Sequence, residues 1–459
     1  MVNLASNSTA IITAVGKPNA RGTPQLEMVQ TITAKYPTFR NLALKTGYLW
    51  LAGKRRDDGA EGLWRIHDTL YDLTEFADRH PGGADWIRLT QGTDITEAFE
   101  TQHVRNHAEQ LLPAYEIRRA QVPRNVRLTF SEQGFYRTLK RRVADRLSDL
   151  DQRPARISEF IQDSLLVTTF ALAFAAVQLG SYLVVAACGL FLAWTIICAH
   201  NFFHRRDNWR MLIFNLTFFS YREWRISHVI SHHLYTNSIL DLEISYFEPF
   251  LCWLPDASQK NHFQRFGAWI YEPLIYVVMF FYELGKRLID TLYYRSNTFY
   301  VEDLIGFVLP VFMYVTGSSS LKTVLTMWFF IVLLASFAFG TISINAAHHH
   351  PESVHSGDLI PKDIDFGIYQ LATIIDCSES KGSQFKSLTR FGDHCLHHLF
   401  PTLDQGLLPQ LYPVFYETCS EFQLKYREFP WWRLIIGQFQ QLARIEPMTY
   451  VPSKMSSSH

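Results

Sequence analysis

Residues 165–198, "LLVTTFALAFAAVQLGSYLVVAACGLFLAWTIIC", contain no Lys, Arg, Asp or Glu. A helix needs about 20 mainly apolar residues to cross a bilayer, where every backbone polar group must find its partner inside the protein. The Gly180-Ser181 pair divides the run into halves that each approach that length, so it reads as two spans joined by a tight turn. A second pair is predicted at 304–317 and 324–347 around the polar loop "SSSLK", giving about four spans in two hairpins. A fifth apolar stretch, 268–284, carries Glu272 and Pro273 and is predicted to lie in the membrane interface.

The rest of the chain is organised around this block. Residues 1–35, rich in Ser, Thr, Asn and Pro, are predicted to lack order. Residues 36–120 alternate apolar and polar positions and then turn helical, as in a small α+β domain, and 121–160 read as a charged helical connector at the membrane surface. The membrane domain is assigned to 161–430 and a C-terminal tail to 431–459. Equal numbers of basic and acidic residues, 43 each, with no basic run interleaved with aromatics, argue against nucleic acid as a partner. The six cysteines form no C-x-x-C pair and are read as reduced thiols. No basic start followed by an apolar segment opens the chain, so the N-terminus is expected on the cytosolic side. An even number of crossings then puts every histidine cluster on that side as well. Arg205, Arg206 and Arg210 agree with this orientation, and Lys322 in the far loop counts against it.

The stretch "RHPGGADWIRLTQGTDITEAFETQH" ends in His103 and begins one residue before His80. Pro81 stops a helix, and Gly82 and Gly83 allow backbone to approach a flat ligand closely. With "WRIHDTLYDLTEF" upstream, these residues resemble cytochrome b5 over about eighty positions. The resemblance implies a heme b with His80 and His103 as axial ligands and Phe99 and Leu73 in its pocket. His107 competes for the second position, and the F-x-x-x-H interval of "FETQH" favours His103. Two histidine ligands close the iron, so such a heme carries electrons and does not itself activate oxygen.

Four histidine clusters remain: "HNFFH" (His200, His204), "HVISHH" (His228, His232, His233), "HHH" (348–350) and "HCLHH" (His394, His397, His398). A lone histidine on an apolar face is commonly a hydrogen-bonded core residue. Helical spacing of i, i+3 and i+4 instead stacks imidazoles on one face, and neutral imidazole is a frequent metal ligand. At this point the chain resembles the membrane-bound fatty-acid desaturases with a fused N-terminal cytochrome b5 domain, over nearly its whole length. The resemblance implies a small α+β cytochrome b5-like heme domain followed by an all-α membrane domain with about four transmembrane helices. It also implies two non-heme irons held by His200, His204, His228, His232, His233, His394, His397 and His398. His348, beside Asn345, is the candidate for a further ligand, with His349 and His350 as alternatives. A fatty acyl lipid substrate, an NADH- or NADPH-dependent flavoprotein reductase and the endoplasmic reticulum membrane are implied with them.

Three features depart from the family pattern. Three residues separate His228 from the His232-His233 pair where two are usual, which implies a different direction for His228. Asn201 stands where aspartate is common, and His394 where glutamine is. Rival readings are a hydroxylase on the same centre, a membrane-anchored electron carrier, and a zinc-binding structural or transport protein.

Overall fold

Alternation of apolar and polar residues around His67-Asp68 produces the first hairpin of the chain. Trp64–Ile66 pairs antiparallel with Thr69–Tyr71, and Glu116–Arg119 adds to the second strand. His67, at φ 53°, supplies the left-handed residue that a tight hairpin turn requires. The helices Ala84–Leu89 and Thr96–Gln102 close over this sheet, and Trp64, Ile66, Leu73, Ile87 and Phe99 are buried together between them. The computed structural model describes residues 27–296 and 298–452.

Three helices among the described residues are long and apolar enough to cross a membrane: Arg153–Leu179, Tyr182–Phe203 and Leu321–Ser343. The first two are joined as the sequence indicates. Gly180 sits at φ 60°, a left-handed C-cap, and the Ser181 hydroxyl accepts the Val184 N–H to start the next helix. The span expected at 304–317 is different. Residues Val301–Phe307 form a 3-10 helix that continues into a nine-residue α-helix, Val308–Thr316, so no long α-helix forms there. This segment packs against the first span, where the rings of Phe170 and Phe312 lie 5.0 Å apart. The fifth stretch is a 22-residue helix, Ala268–Ile289, packed along the third span. It buries Glu272, Glu283 and Arg287 inward and exposes Ile270, Leu274 and Val278, the reverse of a helix at a water-facing surface.

The two short turns meet at one end of the molecule. The Gln178 amide donates to the Thr316 carbonyl at 3.1 Å, and the Ser319 hydroxyl donates to the Val177 carbonyl at 3.4 Å. The second and third spans therefore run from this end to the opposite one, where the histidine clusters lie.

Other segments are more integrated than their composition suggests. Residues 27–35 fall inside the stretch expected to lack order, yet Met28–Val29 pairs with Ile360–Pro361; residues 1–26 lie outside the described residues. The expected connector contains the helix Phe135–Arg146, whose Phe135, Tyr136, Leu139 and Val143 are fully buried. The expected tail holds the helix Trp431–Ala443, which buries Leu434 and Leu442, and residues 453–459 again lie outside the described set. All six cysteines are free and buried.

Gly189 sets the approach of the second span to the third. A Cβ there would lie 2.7 Å from Leu334 Cβ and 3.1 Å from the Ile331 carbonyl oxygen. Gly189→Leu is therefore expected to destabilise the protein by about 1–3 kcal/mol through overpacking. A fall in the thermal midpoint of the detergent-solubilised protein would register it, whereas a lipid-facing Leu183→Ala should leave the midpoint nearly unchanged, since Leu183 is 82% exposed.

Candidate metal centre

In the N-terminal domain, His80 follows a 3-10 turn, and its Nδ1 hydrogen-bonds the Gly83 carbonyl at 2.9 Å. His103 caps the helix Thr96–Gln102, and its Nδ1 bonds the Phe99 carbonyl at 2.9 Å. Each ring thus leaves Nε2 available to a metal. The ring centroids are 6.1 Å apart, which leaves room for one iron about 2 Å from a nitrogen on each side. Burial lowers His103 to about 4, so that ring stands neutral. Leu73 and Phe99 belong to the buried cluster of this domain, while His107 is exposed. These residues fit a heme.

At the ends of the spans, two groups of histidines converge. His200, His204, His228, His233 and His397 form one, and His232, His348, His394 and His398 the other; within each, the ligand atoms lie within 4.8 Å of one another. Nε2 of His200 is 2.8 Å from Nε2 of His228, 2.9 Å from that of His204 and 3.3 Å from that of His397. One ring nitrogen has either one hydrogen or one lone pair, so three such contacts cannot all be hydrogen bonds. They match instead the edges of a coordination polyhedron around an ion about 2.1 Å from each nitrogen, where adjacent ligands sit about 3 Å apart. The second group repeats the pattern: His348 Nε2 is 2.7 Å from that of His394 and 3.1 Å from that of His232, and His394 and His398 are 3.1 Å apart. The rings of His233 and His398 stack at 3.9 Å, so the two groups share a wall.

Protonation agrees with this geometry. Burial and neighbouring imidazoles hold His233, His348, His394 and His398 well below the usual histidine value, as they do His397. These rings are neutral and carry a lone pair. His232 differs, because Asp241 and Glu243 outweigh the effect of burial and raise it to about 9. A cation bound at Nε2 would take the place of that proton.

Local structure explains how each ligand atom arrives. His200 and His204 leave the last turn of the second span one helical turn apart. His228 belongs to a π-helix, Arg225–His232, in which the His233 N–H bonds the His228 carbonyl five residues back. A π-turn accommodates one extra residue in a helix. The longer interval in "HVISHH" is absorbed there, and His228 faces the same centre as its neighbours, contrary to the expectation from spacing. Of the histidine triplet, only His348 joins a cluster. His349 stacks on Trp253 at 3.9 Å, and His350 packs against Phe429.

Several partners of the clusters escaped the sequence reading. Glu243 accepts from His228 Nδ1 at 2.7 Å and Asp241 from His232 Nδ1 at 2.9 Å, which orients Nε2 inward. Their signal is the acidic pair in "DLE" shortly after the box. Gln370 and Thr236 each lie 3.2 Å from His398 Nδ1. Asn201 does not face the histidines; it donates to Asp404 at 2.8 Å and accepts the Gln405 N–H, holding the 404–405 loop to the second span.

The two sites are packed against each other. Glu97 and Glu100, on the helix that ends at His103, are fully buried in the contact. Glu97 pairs with Arg124 and accepts from the Tyr235 hydroxyl at 3.2 Å, and Tyr235 lies two residues after His233. Burial opposes the charge of Glu100, but His67, Lys140 and Arg137 together lower its carboxyl to about 2. The Tyr136 hydroxyl lies 3.3 Å from the Glu100 carbonyl and 3.1 Å from that of Leu399, the residue after His398. On the other side, the Arg225 guanidinium lies 4.5 Å over the Trp86 ring while its Nε donates to the Phe203 carbonyl, next to His204.

Comparison with known proteins places these sites among relatives. Residues 175–430 match the fatty acid desaturase family, and residues 53–121 match the cytochrome b5-like heme/steroid binding domain. The chain is 47% identical over 423 residues to the cytochrome b5-related protein of Drosophila melanogaster, covering 92% of this chain and 97% of that one. It is 26% identical to Delta(5) fatty acid desaturase A of Dictyostelium discoideum, covering 80% of this chain and 86% of the relative. Against the acyl-lipid (8-3)-desaturase of Mortierella alpina the identity is 25%, over 79% and 88%. No solved structure matches the chain.

Removing the carboxylates that orient the rings tests the fit without touching a ligand atom. Asp241→Ala and Glu243→Ala are each expected to weaken metal binding about 10–100-fold, read by competition with a chelator. His349→Ala, which leaves both clusters intact, should not change it.

Proposed function

The chain belongs to the fatty acid desaturase family and carries a cytochrome b5-like heme-binding domain ahead of the family's membrane domain, and from this premise we propose that it desaturates a fatty acyl chain with O2. Removing two hydrogens from a C–C bond while reducing O2 to two waters needs two further electrons and two protons. A heme held by His80 and His103 would pass on these electrons from a flavoprotein that oxidises NADH or NADPH. Two irons at the histidine clusters would supply the oxygen activation that no protein side chain provides.

The observation that carries this reading is the pair of adjoining clusters, five and four imidazoles, with a heme-type histidine pair packed beside them. Five convergent imidazoles exceed the four ligands of a structural zinc site. The electron-carrier reading drew on the altered second box, and the π-helix that turns His228 inward removes that support. In the proposed reaction His200, His204, His228, His233 and His397 would hold one ion, and His232, His348, His394 and His398 the other. Asp241 and Glu243 fix His232 and His228 and offset positive charge. Tyr136 joins the backbone of the heme-side helix to that of the third box, and Phe391, 5.0 Å from His200, excludes water from the first cluster. His80 and His103 would hold the heme, with Leu73 and Phe99 in its pocket. The membrane is the endoplasmic reticulum, with both sites on its cytosolic side.

Two experiments test the proposal. His397→Ala should abolish the new unsaturated lipid in a host expressing the protein, while reduction of the heme by the reductase continues at its former rate, because that step comes first. A glycosylation acceptor inserted in the 317–320 loop should be modified in microsomes, and one near residue 260 should not. Modification near 260 would contradict the assigned orientation.

A further inference from the structure

The second and third spans do not close against each other along their lipid-facing flanks. Between them lies an open groove of about 370 Å³, lined along its length by Ala186, Leu190 and Trp194 from one helix and by Leu334, Ala338 and Ile342 from the other. That volume falls within the range of small-ligand sites. Both helices contribute residues eight apart, about 12 Å of helical rise, so the groove runs parallel to the spans. Its far part is wholly apolar. At the end nearest the histidine clusters the lining changes to Arg390, Trp431 and Cys377.

Among the described residues, Arg390 is the only charged one lining the groove. Its guanidinium lies 6.0 Å from the Trp431 ring, and it forms no ion pair among the described residues. The nearby Glu379 is already engaged, accepting the Trp431 N–H at 2.9 Å and facing the Cys377 thiol. A cation and an indole at the water-facing end of an apolar slot between spans form an amphipathic sequence: charge, interfacial ring, hydrocarbon depth. A phospholipid standing in its own leaflet has the same order, phosphate first and acyl chain below. Arginine presents the donor fork that phosphate oxygens accept. The next residue, Phe391, packs its ring against His200, so the groove's mouth is one side chain from the first cluster.

We propose that this groove receives the acyl chain of a bilayer phospholipid, with its phosphate on Arg390, so that substrate reaches the histidine clusters sideways from the membrane and not from water. The inference rests on the desaturase reading for the fate of the chain, but not for its binding.

The test uses full-length protein, purified with heme and metal in detergent containing palmitoyl-oleoyl-phosphatidylcholine. After detergent exchange, the phospholipid retained per protein is counted by mass spectrometry. The unmutated protein and Arg390→Lys should retain about one phospholipid. Arg390→Glu, which repels the phosphate, and Ala338→Trp, which fills the slot, should lower retention about tenfold. The heme spectrum and metal content of both variants should be unchanged, which separates loss of the ligand from loss of the fold. Equal retention by all four proteins would overturn the proposal. So would saturable retention of stearic acid or stearoyl-CoA, each offered in place of phospholipid, that depends on Arg390 while phospholipid retention does not. Arg390-dependent phospholipid retention without any lipid product would uphold the groove and remove the desaturase reading. Product formation with retention indifferent to Arg390 would do the reverse.

Discussion

Nine imidazoles brought together out of water are the constraint on which the rest of this structure depends. Buried polar groups without partners are costly, and a set of neutral rings whose lone pairs converge cannot satisfy itself by hydrogen bonding. A metal ion resolves both problems at once, since each lone pair becomes a bond and the rings that would repel as cations stay neutral. Assembling the set requires four separate segments to end at the same place. The second span delivers His200 and His204, the π-helix and the short turn of helix after it His228, His232 and His233, the residues after the third span His348, and the helix His394–Leu399 the rest. Spans anchored in a bilayer suit this task, because their lengths fix where their ends lie.

The same logic explains the close packing of the heme domain. A flexible tether would raise its effective concentration near the metal site. The structure goes further, burying Glu97 and Glu100 against Arg124, Arg137 and Lys140. Such buried pairs are weak contributors to stability, because desolvation offsets their attraction. They do define a single docked arrangement, in which the helix ending at His103 lies against the helix bearing the third histidine box through Tyr136. Under the proposed function, electron transfer would proceed within that fixed geometry.

Much of this was legible in the chain. The uncharged run at 165–198 fixed two spans because charge in a bilayer is prohibitive, and Gly180-Ser181 marked their turn because its residues suit a left-handed cap and an N-cap. The resemblance of the histidine boxes to those of desaturases named the residues that converge. Apolar content alone marked 304–317 as a span, but the local backbone is 3-10 up to Phe307 and the α-helix after it has nine residues. The π-helix was invisible because one additional backbone residue leaves the composition of a helix unchanged, so interval alone misdirected His228. Asp241 and Glu243 were not singled out, since their role depends on a chain reversal after Tyr235 that local sequence does not encode. The strand Met28–Val29 is held by a partner more than three hundred residues away, and polar composition nearby concealed it.

The proposed desaturation depends on two irons, one in each histidine cluster. Iron K-edge X-ray absorption, combined with metal analysis of full-length protein purified anaerobically from iron-replete cells, tests it most directly. Two filled clusters would give about two non-heme irons for each heme, coordinated by imidazole nitrogens at about 2.1 Å. Heme iron alone, or zinc filling both clusters in the iron-replete preparation, would contradict it.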